Sequence, residues 1–411
     1  MLYQFTKEEL TSSKTCSVKD LLLKKKAWWH FFQKHKEELP QYILDTISRI
    51  LSCKLHTRGY SEYCCSNPAC THVKHVPFTC KSRFCSSCGK KATEHWVQTQ
   101  LSVLPACDYQ HITFTMPREF WRLFKDNWPL INLLPKVAHD ILLEIARKKG
   151  LLPGIFTAIH TFGRDLKHNP HLHVSVTKGG LDKGETAFKP IYFKKNIIMR
   201  MFRCRIIAFL KKAYRDNRLN LPESLKELCP DYKTFAAWVQ RRICKPWIIH
   251  VARPTKSPMA TISYLGRYLK RPPIAESRLK HYDGNTVTFN FLNHRNNKHQ
   301  NFHCSTEEFI RRFIQHIPPK NFRLIRYAGF LANRVRGEKL PIVRTLMGQE
   351  SNPTPYNLKY AELMQKTLGV NPKECILCQS DMVLKSKTIG ANDKFFYEQH
   401  DNLALRKKIV A

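Results

Sequence analysis

The segment "HNPHLHVSV", residues 168–176, places two histidines on either side of a leucine and then continues with alternating apolar residues. Side chains at positions i and i+2 of a β-strand point to the same face, so His171 and His173 share one face while Leu172 and the valines that follow occupy the other. Two neutral imidazoles side by side can bind a divalent metal ion and leave most of its coordination sphere open to substrate oxygens. The pattern alone fits a metal-dependent active site and an amphipathic edge strand equally well.

The surrounding sequence places this strand in a mixed α+β region. "DYQHITFTMP" (108–117) and "GIFTAIHTFG" (154–163) have the pattern of strands, and "PLINLLPKVAHDILLEIARKKG" (129–150) has apolar residues at helical spacing. The link from residue 163 to the histidine strand is too short for a helical crossover, so an antiparallel hairpin is predicted. A basic helical segment near residues 195–245 and a β-meander at 280–304 follow.

The composition indicates a folded protein with a polyanionic partner. Lys and Arg total 69 against 32 Asp and Glu, a net charge of +37, while 43% of the 411 residues are hydrophobic. For a chain without a membrane span, this charge favours nucleic acid over a lipid surface. The first ten residues, "MLYQFTKEEL", lack the apolar core of a signal peptide. We therefore expect a cytoplasmic protein, with no membrane partner, whose 15 cysteines are reduced.

Six cysteines within "YSEYCCSNPACTHVKHVPFTCKSRFCSSCG" (60–89) have the spacing of a zinc ribbon. Two chelating turns separated by a strand-length spacer can place four thiolates tetrahedrally around Zn²⁺, and four protein ligands make such a site structural. The predicted ligands are Cys65, Cys70, Cys85 and Cys88, with Cys64 and Cys80 as spare or alternate thiols. Farther along, Cys375-x2-Cys378 supplies only half of a zinc site.

A tyrosine pair lies within "SYLGRYLKR" (263–271). Tyr264 and Tyr268 are four residues apart, which on a helix places them on one face. A phenol can attack phosphorus when a metal ion polarises the phosphate oxygens, and the product is a phosphotyrosine ester. Alone, this spacing more often marks tyrosines that pack in a core. Together with the histidine strand, the ribbon and the positive charge, it favours a catalytic role for the two tyrosines. We expect its basic neighbours to bind DNA: Arg267, Lys270 and Arg271.

Together these segments resemble the insertion-sequence ninety-one type transposases, two-tyrosine HUH enzymes with an N-terminal zinc-binding domain. The resemblance rests on five stretches in family order: "CKSRFCSSCG" (80–89), "YQHITFTMP" (109–117), "HTFGRDLKHNPHLHVSVTKGGL" (160–181), "YLGRYL" (264–269) and "EEFIRRFIQHIPPKNFRLIRYAGFLANRVR" (307–336). Many relatives have His-Pro directly before the first HUH histidine, whereas this chain has His168-Asn169-Pro170. The resemblance as a whole covers about residues 45–340.

The resemblance implies a rolling-circle-type transposase that nicks and rejoins single-stranded DNA at mobile-element ends and targets, through a covalent 5′-phosphotyrosine. By position, His171 and His173 match the metal ligands, for Mg²⁺ or Mn²⁺, and Tyr264 and Tyr268 match the tyrosine pair. A third ligand is expected from the neighbouring strand or turn. Asp165 is the first choice and His160 the second. The implied location is the nucleoid of a bacterial or archaeal cell.

The predicted fold is α+β: an HUH endonuclease-like antiparallel sheet flanked by helices, preceded by a zinc ribbon and N-terminal helices. The predicted domains are a basic helical segment (1–55), whose tryptophans are assigned to the core, the ribbon (56–100), the catalytic domain (101–340) and a C-terminal tail (341–411). The N-terminal segment is expected to form one or two helices broken near Pro40.

Three alternatives remain at this stage. A related HUH replication initiator or relaxase would share the chemistry, but the chain lacks the helicase P-loop of the larger initiators. A non-catalytic zinc-dependent DNA-binding regulator would use the histidines and tyrosines for packing. A phosphoesterase with two H-x-[ST] motifs is matched only by His111-Ile112-Thr113.

Overall fold

The structure of the protein is a computed structural model, and it describes residues 17–125, 127–253, 262, 266, 271–293, 296–351, 359–369 and 371–396. The α-helices in these residues are Val18–Leu23 (α1), Ala27–His35 (α2), Gln41–Leu51 (α3), Ser86–Val103 (α4), Arg118–Lys125 (α5), Trp128–Arg147 (α6), Lys195–Arg215 (α7), Glu223–Lys226 (α8), Tyr232–Gln240 (α9), Thr306–Ile314 (α10), Arg336–Leu346 (α11) and Tyr360–Leu368 (α12). The strands are Gly59–Cys65 (β1), Val73–Pro77 (β2), Tyr109–Thr115 (β3), Leu151–Phe162 (β4), His168–Asp182 (β5), Phe188–Pro190 (β6), Ile248–Val251 (β7), Leu279–Tyr282 (β8), Thr286–Asn293 (β9), Lys298–Ser305 (β10), Ile325–Gly329 (β11) and Met382–Ile389 (β12).

The N-terminal segment folds into α1, α2 and α3. The chain breaks before α3 at Pro40, as predicted, and also between α1 and α2, where Lys25 and Lys26 have positive φ angles of 48° and 55°. Trp28 is 3% exposed and packs with α10 and β9 in one apolar cluster, which confirms its assignment to the core. The predicted meander is also confirmed, because β8, β9 and β10 pair antiparallel.

The central sheet has the strand order β11-β4-β5-β3-β7 in the described part of the chain, with β6 added to β5. Every pairing in it is antiparallel, and β4 and β5 form the predicted hairpin. The register places His171 opposite His160 on β4 and opposite Thr115 on β3. The predicted α+β class, with helices and an antiparallel sheet, is therefore confirmed.

The two faces of this sheet pack against different helices. Leu172, Val174 and Val176 are buried in a large core formed with α5, α6 and α7. On the opposite face, Tyr109 and Phe156 pack with α4 and with residues near α11 in a second cluster. The histidines lie on this second face, so the alternation of β5 directs them away from the main core.

The predicted start of the C-terminal tail at residue 341 lies within regular structure in the described residues. That boundary falls inside α11, whose Leu340 and Val343 are buried in the cluster on the histidine face. Farther on, β12 pairs antiparallel with β1, completing the sheet β12-β1-β2. Most of β12 is exposed, so its sequence lacks the apolar alternation that identifies a half-buried strand.

None of the helices within the described residues combines the length and the apolar character needed to cross a membrane.

Candidate active site

Three imidazoles converge on the second face of the central sheet. His171 and His173 come from β5, and His160 comes from the neighbouring β4, directly across from His171. One nitrogen of each ring lies within 4.8 Å of a nitrogen of the other two. The ring centroid of His160 is 4.6 Å from that of His173 and 5.2 Å from that of His171. The three side chains are placed to bind one ion together.

The histidines are held in the neutral form that a metal ion requires. Burial lowers the pKa of His171 and lowers that of His173 well below its usual value. His171 Nδ1 donates to the Asn169 carbonyl oxygen at 2.7 Å, which leaves the lone pair on Nε2. This Nε2 faces His173 Nε2 at 3.2 Å, so the two nitrogens point into the same space.

A fourth histidine, His111 on β3, contacts His173 through the ring nitrogen that does not face His171. His173 Nδ1 lies 3.0 Å from His111 Nε2, and His111 Nδ1 lies 3.4 Å from the Ser175 hydroxyl. Burial lowers the pKa of His111 to about 4. If His173 donates from Nδ1, its Nε2 is left to bind the ion, which is the usual arrangement of a histidine ligand with a second hydrogen-bond partner.

From the sequence, His111 is recognisable only as half of an H-x-[ST] motif, and its contact with His173 is not predicted. The sequence contained part of this information, because His111 and Thr113 are two residues apart in a segment that is predicted to be a strand. Its position opposite Ser175 depends on the register between β3 and β5, which the sequence does not reveal.

Of the two residues proposed as third ligand, the structure groups His160 with His171 and His173 and leaves Asp165 outside the group. The Asp165 carboxylate lies in the turn between β4 and β5, where it accepts from the Lys167 backbone amide at 3.3 Å and pairs with the Lys167 ammonium at 3.0 Å. Asp at such a turn position commonly stabilises the turn itself. His168 also stays outside the group, with its ring stacked on that of His316 at 6.2 Å.

The predicted tyrosine pair, Tyr264 and Tyr268, lies outside the described residues, as do Arg267 and Lys270. Arg271 is described and is half-buried.

Two described residues of the same stretch lie on the histidine side of the sheet. Ile262 is fully buried in the cluster that contains Tyr109 and Phe156. Gly266 lies so close to α4 that a Cβ atom there would be 2.6 Å from a methyl carbon of Val97. Ile262 and Gly266 therefore both lie on the histidine face of the sheet.

The four predicted zinc ligands are divided between two clusters of cysteines in the structure. Cys85 and Cys88 group with the alternate Cys80 and with Cys53, and all four thiols are buried. The Cys53 sulfur lies 3.7 Å from those of Cys85 and Cys88, and hydrogen bonds from Cys80 and Cys85 lower the pKa of Cys53 to about 6. We call this group the buried cluster; its four sulfurs fit a structural zinc ion.

The other two predicted ligands, Cys65 and Cys70, group with Cys375 and Cys378. We call this second group the split cluster, because its members come from opposite ends of the chain. The pair Cys375-x2-Cys378, which alone supplies half of a zinc site, thus lies next to Cys65 and Cys70 in the structure.

A basic groove of about 880 Å³ runs between the N-terminal region and the edge of the central sheet. The described residues that line it include no acidic side chain, and aromatic Phe322 and Tyr327 lie among them. Its basic lining residues are Arg49, Lys81, Arg83, Arg323 and Arg326. Leu324, also in the lining, accepts a backbone hydrogen bond from Ile159, the residue before His160. One lining residue of the groove is thus hydrogen-bonded to the neighbour of His160 in the sequence.

Comparison with known proteins gives matches over most of the chain. The family model "Transposase zinc-binding domain" matches residues 24–116, and the model "Putative transposase" matches residues 154–339. The chain is 39% identical over 379 residues to the transposase for insertion sequence element IS801 of Pseudomonas savastanoi pv. phaseolicola, covering 91% of this chain and 90% of that relative. It is 30% identical over 342 residues to "Putative transposase y4qJ" of Sinorhizobium fredii, covering 79% and 84%. No solved structure matches.

Proposed function

The chain belongs to the IS91 family of transposases, and from this premise we propose that it nicks and rejoins single-stranded DNA at mobile-element ends through a covalent 5′-phosphotyrosine. The observation that carries the proposal is the convergence of His160, His171 and His173 on one face of the sheet. A regulator that only binds DNA has no need for three neutral imidazoles whose nitrogens share one space.

The donor set of the site indicates the kind of ion that it binds. Three imidazole nitrogens favour a transition-metal ion over Mg²⁺, which prefers oxygen ligands and water. Of the two ions that the sequence analysis named, we therefore propose Mn²⁺ as the better fit. When bound, it supplies positive charge at the phosphate oxygens. The remaining coordination positions stay open for the DNA, because the chain provides only three ligands in the described residues.

The chain's own residues account for the remaining steps. The phenolic oxygen of Tyr264 or Tyr268 gives up its proton and attacks the phosphorus in line. The bond from phosphorus to the 3′ oxygen breaks, and the 3′ oxygen takes up a proton to become a hydroxyl, so no net proton is gained or lost. The 5′ side of the nick is then held as a tyrosine ester. Attack by a 3′-hydroxyl on this ester releases the tyrosine and rejoins the strand. The positions of Ile262 and Gly266 on the histidine face support this assignment.

The basic groove supports a single-stranded substrate. Its basic side chains can follow a phosphate backbone, and Phe322 and Tyr327 offer faces on which unpaired bases can stack. Because one of its lining residues is hydrogen-bonded to the neighbour of His160 in the sequence, we expect a strand bound there to reach the histidine site.

The proposal is tested by trapping the covalent intermediate. Full-length protein is incubated with Mn²⁺ and 3′-labelled single-stranded DNA from an element end, and the products are separated on a denaturing gel. We expect labelled protein from the wild type. Y264F/Y268F and H171A/H173A should give none, since the first removes both nucleophiles and the second two metal ligands.

The matched control is Y192F, since Tyr192 is 64% exposed and lies on the segment after β6. It should form the adduct at the wild-type level, and the same DNA as a duplex should form little. Adduct retained in Y264F/Y268F, or absent with every cognate end, would contradict the proposal and favour the regulator.

A further inference from the structure

The split cluster joins cysteines that are far apart in the sequence. Cys65 and Cys378 are 313 residues apart, yet their sulfurs lie 3.4 Å from each other. Cys70 and Cys375 are 305 residues apart, and their sulfurs lie 3.8 Å from each other. All four sulfur atoms lie within 4.8 Å of one another. Free thiols gain little from such a grouping, whereas four thiolates around one ion form a tetrahedral zinc site.

The backbone around each pair has the hydrogen bonds of a chelating turn. The Asn67 amide donates to the Cys65 sulfur at 3.4 Å, and the Cys70 amide donates to the Asn67 carbonyl oxygen at 2.9 Å. In the second turn the Gln379 amide donates to the Cys375 carbonyl oxygen at 2.9 Å, and Gln379 has a positive φ of 61°. Both turns are therefore shaped before any ion binds.

Pairing of β1 with β12 brings the two turns together. Cys65 is opposite Met382 in the register, and the Ser66 amide donates to the Asp381 carbonyl oxygen at 2.8 Å, which continues the ladder toward the cluster. Beside the sulfurs, His72 Nδ1 lies 3.2 Å from the Cys375 sulfur and can donate a hydrogen bond to a thiolate.

We propose that Cys65, Cys70, Cys375 and Cys378 bind a second structural zinc ion, separate from the one in the buried cluster, and that this ion fastens the C-terminal strand β12 to the N-terminal region. Two of the four ligands lie beyond residue 339, where the second family match ends. The zinc-binding unit is thus built from both ends of the chain around the transposase domain. This inference does not depend on the proposed catalytic activity.

The first test counts zinc in the folded, full-length protein by mass spectrometry under native conditions. The wild type should carry two zinc ions per chain, and C375S/C378S should carry one. The control is C204S/C244S, which removes two exposed cysteines outside both clusters and should keep two ions. A wild type with one ion, or a folded C375S/C378S with two, would overturn the proposal.

A second test needs no variant, so it also decides the matter if C375S/C378S fails to fold. Cysteines of the wild type are alkylated with iodoacetamide, with and without a zinc chelator, and each labelling rate is measured by peptide mass spectrometry. Cys204 and Cys244 should label at once in both conditions. Cys65, Cys70 and Cys378 should label at least tenfold faster after chelation. Equal rates with and without chelator would show that no ion protects them and would overturn the proposal.

Discussion

The buried cluster and the split cluster use the same four-sulfur chemistry in opposite surroundings. The buried cluster takes all its ligands from residues 53–88 and lies in an apolar core beside Phe84. In the split cluster only Cys375 is buried, at 0% exposure, while Cys65 and Cys70 are half-buried. The first cluster forms within one local segment, whereas the second forms only when β1 pairs with β12.

This difference indicates what each cluster does for the protein. Cys85 is the residue before α4, and Cys88 lies in the first turn of that helix, so the buried cluster fixes a helix whose Trp96 and Val97 pack on the histidine face. The split cluster lies instead beside the end of β1, in the separate sheet β12-β1-β2. We therefore expect the buried cluster to be needed for folding and the split cluster to hold only the C-terminal strand.

The largest effect should come from C85S/C88S. Zinc binding to a structural site contributes about 10–16 kcal/mol of apparent free energy, which is comparable to the whole stability of a domain, about 5–15 kcal/mol. Without it, the core around Trp28 should not form cooperatively. Unfolding in urea, followed by tryptophan fluorescence and circular dichroism, should show a lost or strongly shifted transition. A transition matching that of the C204S/C244S control would show that the buried cluster binds no stabilising ion.

A smaller, local effect is expected from C375S/C378S. Release of β12 exposes backbone in a region with few buried contacts, while the central sheet keeps its core. Limited proteolysis should cut this variant near residues 371–390 at least tenfold faster than the wild type, and the main unfolding transition should move little. Cutting that begins in α6 or β5 instead would mean that the split cluster supports the catalytic domain.

The smallest effect should come from the ion pairs on the surface of the N-terminal core. Hydrogen bonds from Lys34 and His35 lower the pKa of Glu307 to about 2. Because folding lowers this pKa, the stabilisation exists above the ordinary value of 4.5 and is lost only as the pH falls toward 2. It is therefore fully present at pH 7.

Its size at pH 7 should be below about 1 kcal/mol, because the carboxylate is 40% exposed and screened by solvent. A double-mutant cycle of E307Q and K34M, measured by urea unfolding, gives the coupling free energy. A coupling as large as the loss in C85S/C88S would contradict the view that zinc and the apolar core stabilise this region.

The shared face of His171 and His173 could be predicted from the sequence because it depends only on the alternation of side chains along one strand. His171 and His173 alternate with Leu172 in "HLHV", and the structure confirms both their shared face and the hairpin that carries them. The third ligand depends on which residue of β4 lies opposite His171. That register is a tertiary property, so the sequence offered Asp165 and His160 without a physical means to rank them correctly.

The grouping of the cysteines could not be predicted for a related reason. Ribbon spacing pairs each chelating turn with the next one along the chain, which joined Cys65 and Cys70 to Cys85 and Cys88. The actual partners are Cys375 and Cys378, brought in by an exposed strand that has no apolar pattern. Cys53 was missed because it stands alone before the ribbon, with no second cysteine at chelating distance in sequence. Local patterns therefore identified the ligand types but not how the ligands group.

The central claim is that the histidine site binds a catalytic metal ion independently of the two cysteine clusters. The most direct measurement is electron paramagnetic resonance of Mn²⁺ titrated into zinc-loaded, full-length protein. We expect one bound Mn²⁺ per chain in the wild type and in C375S/C378S, and none in H171A/H173A. Undiminished Mn²⁺ binding by H171A/H173A would contradict it.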